Sequence, residues 1–427
     1  LKLKMTRFWK FVFLISPALT LVVPSGHFIG PFFMAWAGLF YWRLAVVKSP
    51  IFNGSVRTSW VWMLGGFGVL VVTGVGLAIA HSNHVGHYEM YIPFVLFPAV
   101  AFLVRAGRWN AESWLISVAM GALLAFVFAA YQVFEQNIAR AMGSVGNPIP
   151  FGNTAIVLGA VALVAGVMFP FEGDRARWKR RFVLLAGTAG AGASLLSGSK
   201  GGWLSLFIIG LTLAYLATHQ WPMWRRHLAG LTVAVSLVVA GLLAPSHVVK
   251  DRVASGLKGG WHWVQTGEVT ESSVSMRFEM WKLSLRMIVE EPWWGHGSVG
   301  ARERWHVLLD EGQAHPALVN LVKANPKFST ADNEILGALK GGGLFGMLGL
   351  LAGYVGVWMA FWVWRKYEDA QIKALTTIGL LLVPMYLEFG LSVSVFGINV
   401  FRSVFVYLAV VLLAFITVRS QFLKERP

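Results

Sequence analysis

Apolar runs long enough to cross a bilayer recur along this chain, separated by short polar connections. A spanning helix needs about 20 predominantly apolar residues. These runs are continuous rather than alternating, which argues against a barrel of period-two strands. The pattern predicts twelve spans, near 8–23, 28–47, 59–80, 90–106, 113–134, 151–170, 182–198, 201–218, 228–244, 341–364, 374–396 and 400–418. The expected fold is an all-α polytopic membrane protein in three parts. Residues 1–244 carry the first nine spans, 245–340 form a helical segment outside the membrane, and 341–427 hold the last three spans and a tail. No internal repeat relates the two halves.

The 245–340 connection is too long for a linker and too rich in Trp and Leu for a disordered one. Within it, "SMRFEMWKLSLRMIVEEPWW" predicts an amphipathic helix. Met276, Met280, Leu283 and Met287 fall on one stripe, and Pro292 stops it. "RERWHVLLDEG" predicts a second helix. "HPALVNLVKANP" predicts a third, with Pro316 at its first position and Asn325-Pro326 closing it.

Composition agrees with a membrane protein: 56% hydrophobic residues, 13% charged. The net charge of +16 would suggest nucleic acid in a soluble protein, but here it is explained by topology. With the N-terminus inside, the connections on the inner side and the two terminal segments hold 21 Lys and Arg; the short connections on the other side hold Arg140 and Lys200 alone. By the positive-inside rule both termini are expected in the cytoplasm, with 245–340 outside. The first apolar run lacks a small-residue cleavage site and leads into further spans, so no cleaved leader is expected. The chain has no cysteine, so neither disulfides nor thiol chemistry enter.

Charge is sparse inside the spans. Arg43 and Glu388 are the clearest exceptions, and both lie near span ends where snorkelling would suffice. Ionisable residues gather instead in 245–340 and at Lys200. That distribution suits an enzyme acting at the outer face on a substrate held half in the membrane. A transporter or flippase for a lipid-linked glycan, the rival class, predicts midplane charge and repeat symmetry.

Lys200 sits in "SGSKGGW", at the outer end of the seventh span. Its small neighbours (Ser197, Gly198, Ser199, Gly201, Gly202) let the backbone turn sharply and bare its N–H groups. An ammonium beside such groups is an anion site; a plain hairpin with a snorkelling lysine is the alternative. The order of residues is not that of a nucleotide-binding loop.

Taken together, "SGSKGGW", "SMRFEMW", "EEPWWGHGSVG" and "TADNEILGALKGGGLFG" resemble, in order and spacing around one long outer connection, the O-antigen ligase family. That family is related to O-antigen polymerases and protein O-oligosaccharyltransferases. The resemblance implies a C-type glycosyltransferase fold, a helical bundle under a periplasmic segment. It implies transfer of O-antigen glycan from undecaprenyl diphosphate to lipid A–core oligosaccharide at the periplasmic face of the inner membrane, with inversion and without a metal or other cofactor. Polymerase and protein O-oligosaccharyltransferase activity are the alternatives within the same chemistry. The family's arginine in the second element falls on Arg277, and its span-end arginine falls on Lys200, which keeps the charge but not the bidentate fork. Where relatives carry histidine this chain has Asp332, followed by the matching Asn333 and Glu334.

Breaking a sugar–diphosphate bond needs charge stabilisation on the leaving group and a base for the incoming hydroxyl. No Asp-x-Asp or His-x-x-x-His spacing in 245–340 suggests a metal site. Cationic side chains do the same electrostatic work, and Arg277 and Lys200 are the candidates. Asp332 is expected to replace the family histidine as base, and also to be the N-cap of the helix entering the tenth span. Asp starts from a reference pKa of about 3.9 against about 6.5 for His. His315 is the second candidate base, though its place before Pro316 also suits an N-cap. Asn333, Glu334, Ser199, Trp281 and His315 are the expected substrate contacts. His296 suits a turn or a sugar contact, and Trp261, Trp263, Trp293 and Trp294 are placed to face glycan.

Overall fold

The computed structural model describes residues 2–47, 54–81, 85–218, 250–270, 272–325 and 330–425, and every regular element among them is helical. In chain order these are α1 (Lys2–Leu19), α2 (Gly26–Val47), α3 (Ser55–Ala80), α4 (Ile92–Leu96), α5 (Val100–Gly107), α6 (Ala111–Ala130), α7 (Pro148–Met168), α8 (Ala176–Ser197) and α9 (Trp203–Thr218). After 219–249 come α10 (Lys250–Thr266), α11 (Ser273–Glu290), α12 (Gly297–Asp310), α13 (Pro316–Ala324), α14 (Glu334–Trp362), α15 (Ala370–Gly390) and α16 (Asn399–Glu425). Short 3₁₀ turns link α4 and α5 to their neighbours, and α6 runs on into a π turn at Tyr131–Glu135.

Among the described residues helices stand at the places expected for the spans, and the count of twelve is not confirmed. Seven stretches among the described residues are long and apolar enough to cross a membrane, and Lys200–Leu216 is a shorter apolar helix. The ninth expected span, 228–244, and the Arg43 side chain lie outside what is described. Local chemistry explains several of the ends. Asn110, Asn147 and Asp369 cap α6, α7 and α15 by accepting first-turn N–H bonds.

α16 is almost wholly buried and forms the centre of the bundle. Polar side chains there find partners, as an apolar medium demands. The indole N–H of Trp60 donates to Thr417 Oγ1 at 3.0 Å, and that of Trp114 donates to the Tyr407 hydroxyl at 3.2 Å. α3 packs along α14 through small residues. A Cβ on Gly66 would stand 2.4 Å from the Ala352 carbonyl oxygen, so only glycine permits that approach. Glu388 corrects the snorkelling expectation: it is buried and accepts a 2.6 Å hydrogen bond from Ser205 on α9.

A second, smaller core lies in the 250–325 segment. Met280, Leu283 and Met287 of α11 pack with Trp305, Leu308 and Leu309 of α12 and Leu318 and Val322 of α13, with Met276 partly buried beside them. The stripe, the stop at Glu290 before Pro292, and Pro316 at the first position of α13 all stand as the periodicity predicts. α10, which packs on α11, was not anticipated.

The segment is joined to the bundle by backbone. α14 breaks at Gly343 (φ 57°, ψ −152°), and the turn at 291–297 lies against that break. Leu344 N–H donates to the Pro292 carbonyl at 2.8 Å, and His296 N–H donates to that of Lys340 at 3.0 Å. A Cβ on Gly343 would stand 2.3 Å from the Trp293 carbonyl carbon, and one on Gly295 would stand 2.5 Å from Gly343 N. Both glycines also hold positive φ.

Candidate functional site

The "SGSKGG" stretch is a tight turn from α8 into α9. Gly198 closes α8 in the left-handed conformation (φ 61°), and Lys200–Gly202 forms one 3₁₀ turn. Three neighbours hold it. Arg140 Nε donates to the Ser197 carbonyl at 2.9 Å, the Ser199 hydroxyl donates to Asn153 Oδ1 at 2.7 Å, and Gly201 faces Ser392 so closely that a Cβ there would meet Oγ at 2.1 Å. Ser199 is thus buried and fixes the turn; that is not the placement of a substrate contact. Lys200 Nζ and the Val274 side chain both lie within 4 Å of where a Cβ on Gly256 would stand. The ammonium therefore sits beside the first turn of α11, the helix that carries Arg277.

Arg277 lies one turn further along. Its Nε stands 3.8 Å from Asp332 Oδ2, with the two side chains 22% and 29% exposed. That is an ion pair at long range, not a hydrogen bond, and Arg277 Nε is buried with no hydrogen-bond partner among the described residues. The guanidinium is therefore oriented by a carboxylate and still has donor capacity for another anion.

Asp332 is not the N-cap of α14. Asn333 is: its Oδ1 accepts from Leu336 N–H at 3.0 Å. Asp332 stands one residue earlier in a left-handed conformation (φ 45°), which costs an L-residue about 1–2 kcal/mol and which Asp tolerates better than most. Two contacts hold it there. Its N–H donates to Thr330 Oγ1 at 3.0 Å, and the Trp281 indole N–H donates to the Ala331 carbonyl at 2.9 Å. Burial raises the Asp332 carboxyl above its usual pKa, while the Arg277 charge and the Thr330 hydroxyl pull it back down. Freed from capping, the carboxylate can accept a proton.

Glu334 is buried at the start of α14, where one carboxylate oxygen accepts from Phe396 N–H at 3.1 Å and the other has no partner among the described residues. It lines a cavity of about 660 Å³ between α3, the first turn of α12, α14 and the 394–397 loop; Thr330 and Ala331 line it too. Asp332, which follows Ala331 directly, and Arg277 beside it stand next to this lining without forming part of it.

Residues 182–351 match the family model described as O-antigen ligase. The family resemblance read from the sequence is thereby shown. An uncharacterized protein of Haemophilus influenzae is 21% identical over 332 residues, covering 78% of this chain and 79% of that relative. Lys200, Arg277 and Asp332 all fall inside the span matched by the O-antigen ligase model, whose members are glycosyltransferase-like ligases. With several apolar helices beside that match, the chain is a multi-pass membrane protein.

The remaining expected residues divide. Trp281 anchors the Asp332 loop and lies against Phe278, with ring centroids 5.4 Å apart and the planes tilted by 55°. His315 caps α13: its Nδ1 accepts from Ala317 N–H at 3.1 Å, and its own N–H donates to Glu279 at 2.9 Å. His296 bonds the Met287 carbonyl at 2.9 Å and closes a turn. Of the tryptophans expected to face glycan, Trp261, Trp293 and Trp294 are exposed, whereas Trp263 donates to buried Glu279 at 3.2 Å. Sequence reasoning missed Glu279, which accepts from α10, α11 and the start of α13 together. A carboxylate one residue before Met280 of the core stripe was the available signal.

Proposed function

We propose that this protein transfers an O-antigen glycan from undecaprenyl diphosphate to a hydroxyl of lipid A–core oligosaccharide, at the periplasmic face of the inner membrane, with both termini in the cytoplasm. The observation that carries it is the Arg277–Asp332 pair at 3.8 Å, directly after the cavity-lining Thr330 and Ala331, with Lys200 beside the first turn of the same helix.

Arg277 and Lys200 take the donor diphosphate, Arg277 through its guanidinium and Lys200 as a point charge. The acceptor hydroxyl approaches from the opposite side of the anomeric carbon. As its oxygen bonds to that carbon, its proton passes to Asp332 and the carbon–oxygen bond to diphosphate breaks. The negative charge that develops on the leaving group rests on the two cations. Such a single displacement inverts the anomeric centre, and Asp332 accepts the proton late, so it need only be ionised. Asn333 caps α14 and Trp281 holds the loop, so both position the base.

Purified protein in detergent, given lipid-linked glycan and lipid A–core with EDTA present, tests this. Slower-migrating lipopolysaccharide with wild type is the expected product, with rates down about 10²–10⁴-fold in Asp332→Asn. Full transfer by Asp332→Asn refutes the base assignment. A glycan that lengthens on its own lipid instead identifies a polymerase.

A further inference from the structure

The cavity beside the Arg277–Asp332 pair has walls of two kinds that the diphosphate site leaves unused. Leu70, Leu77, Phe94 and Leu350 make one wall apolar at the depth of α3 and α14. The other gathers cationic and donor groups. Lys340 is 5% exposed, with its ammonium 4.6 Å from the centroid of the Trp305 ring. Arg302 is exposed and lines the same cavity.

The start of α12 also lines this space, through Gly297 and Ser298. Ser298 Oγ is buried there without a hydrogen-bond partner among the described residues. Glu334, 8% exposed, turns its unpartnered carboxylate oxygen to the same cavity. Gly341 leaves the α14 surface open, since a Cβ there would meet nothing within 4 Å, so a ligand can lie against the backbone at that point.

We infer that this cavity is the acceptor site, built for a phosphorylated glycolipid. A phosphate of the acceptor meets Lys340, Arg302 and the Ser298 hydroxyl. The acyl region lies along the apolar wall, and a sugar hydroxyl donates to Glu334. This rests on the transfer reaction proposed above, but places the acceptor in a site separate from Arg277 and Lys200. Because each charge-assisted contact to phosphate is among the stronger hydrogen bonds, losing one is expected to cost about tenfold in affinity.

Binding tests this without turnover. Detergent-purified protein, with no donor present, is titrated with fluorescently labelled lipid A–core and with the same lipid after phosphatase treatment. Wild type is expected to bind the phosphorylated form about tenfold more tightly or better. Lys340→Met, which keeps the straight chain on Trp305, and Arg302→Gln, which disturbs no core, are each expected to bind the phosphorylated form about tenfold more weakly than wild type and the dephosphorylated form as wild type does. Labelled undecaprenyl-diphosphate glycan is expected to bind all three proteins equally. Equal binding of the two lipid A–core forms by wild type overturns the inference. So does a loss in the variants confined to the undecaprenyl donor. Phosphate-dependent binding without any transfer supports the site and sinks only the reaction.

Discussion

Replacing Arg277 by glutamine tests the electrostatics of the Arg277–Asp332 pair most directly. Two unit charges 3.8 Å apart attract by roughly 1 kcal/mol if screened as in bulk water, and by about 4 kcal/mol at an effective dielectric constant of 20. Both side chains are largely but not fully buried, so the coupling falls between these, at about 2 kcal/mol. That is on the order of 30-fold in any equilibrium that depends on the Asp332 charge. Two effects oppose each other at Asp332: burial raises its pKa, and Arg277 lowers it. Arg277→Gln removes the second and keeps the first. Since the base must be ionised, the acid limb of kcat/KM for donor moves to higher pH in this variant, apart from any loss of maximal rate. Arg277→Lys keeps the charge, so its limb stays near that of wild type while diphosphate binding weakens with loss of the fork. Initial transfer rates between about pH 4 and pH 8 read the limb. A limb that stays in place, or moves to lower pH, in Arg277→Gln refutes the coupling.

Three further outcomes follow from named contacts. Trp281→Phe keeps the ring and loses the hydrogen bond to Ala331; it should cost about 1 kcal/mol and lower kcat, with little change in detergent melting temperature. Glu279→Leu leaves the Trp263 indole and the His315 N–H without their acceptor. At about 1–3 kcal/mol for each orphaned group, limited proteolysis should open the 250–325 segment while the bundle stays intact. Gly343→Ala combines a positive φ with a Cβ 2.3 Å from Trp293 backbone; it should destabilise by about 2 kcal/mol or more, and stability and transfer should fall together.

What was readable in the sequence is what repeats along it. The Met276–Met287 stripe needed only helical period and chain position, and it forms the second core as read. The Lys200 turn was readable because five small residues around one cation between two apolar runs leave few other structures. The cap of α14 was not readable. Asp332 and Asn333 are adjacent and both types cap well, and what selects Asn333 is the tether of Ala331 to Trp281, fifty positions away. The glycines of "WWGHG" and "KGGG" look like flexible punctuation in one dimension. In space they are the two faces of a backbone contact, each needed because the other chain is there. Glu388 failed for the same reason: its partner Ser205 belongs to another helix.

The order in which charges meet at this pair has its own consequence for the proposed reaction. In the free protein burial already raises the Asp332 pKa above its usual value, and Arg277 takes back part of that rise. When a diphosphate binds Arg277, its two negative charges offset the guanidinium, and the restraint on Asp332 is lifted just as the acceptor must lose its proton. Burial, the larger influence on that carboxyl, then acts with less opposition and base strength rises further. Donor binding would in this way strengthen the base before displacement begins, with no conformational change. Because kcat/KM for donor reports the free enzyme and kcat the bound complex, the acid limb of kcat is expected at higher pH than that of kcat/KM. In Arg277→Gln the charge is absent in both states, and the gap should shrink. Equal limbs in wild type, with a clear shift between wild type and Arg277→Gln, would mean that the diphosphate sits away from Arg277 and that Lys200 alone receives it.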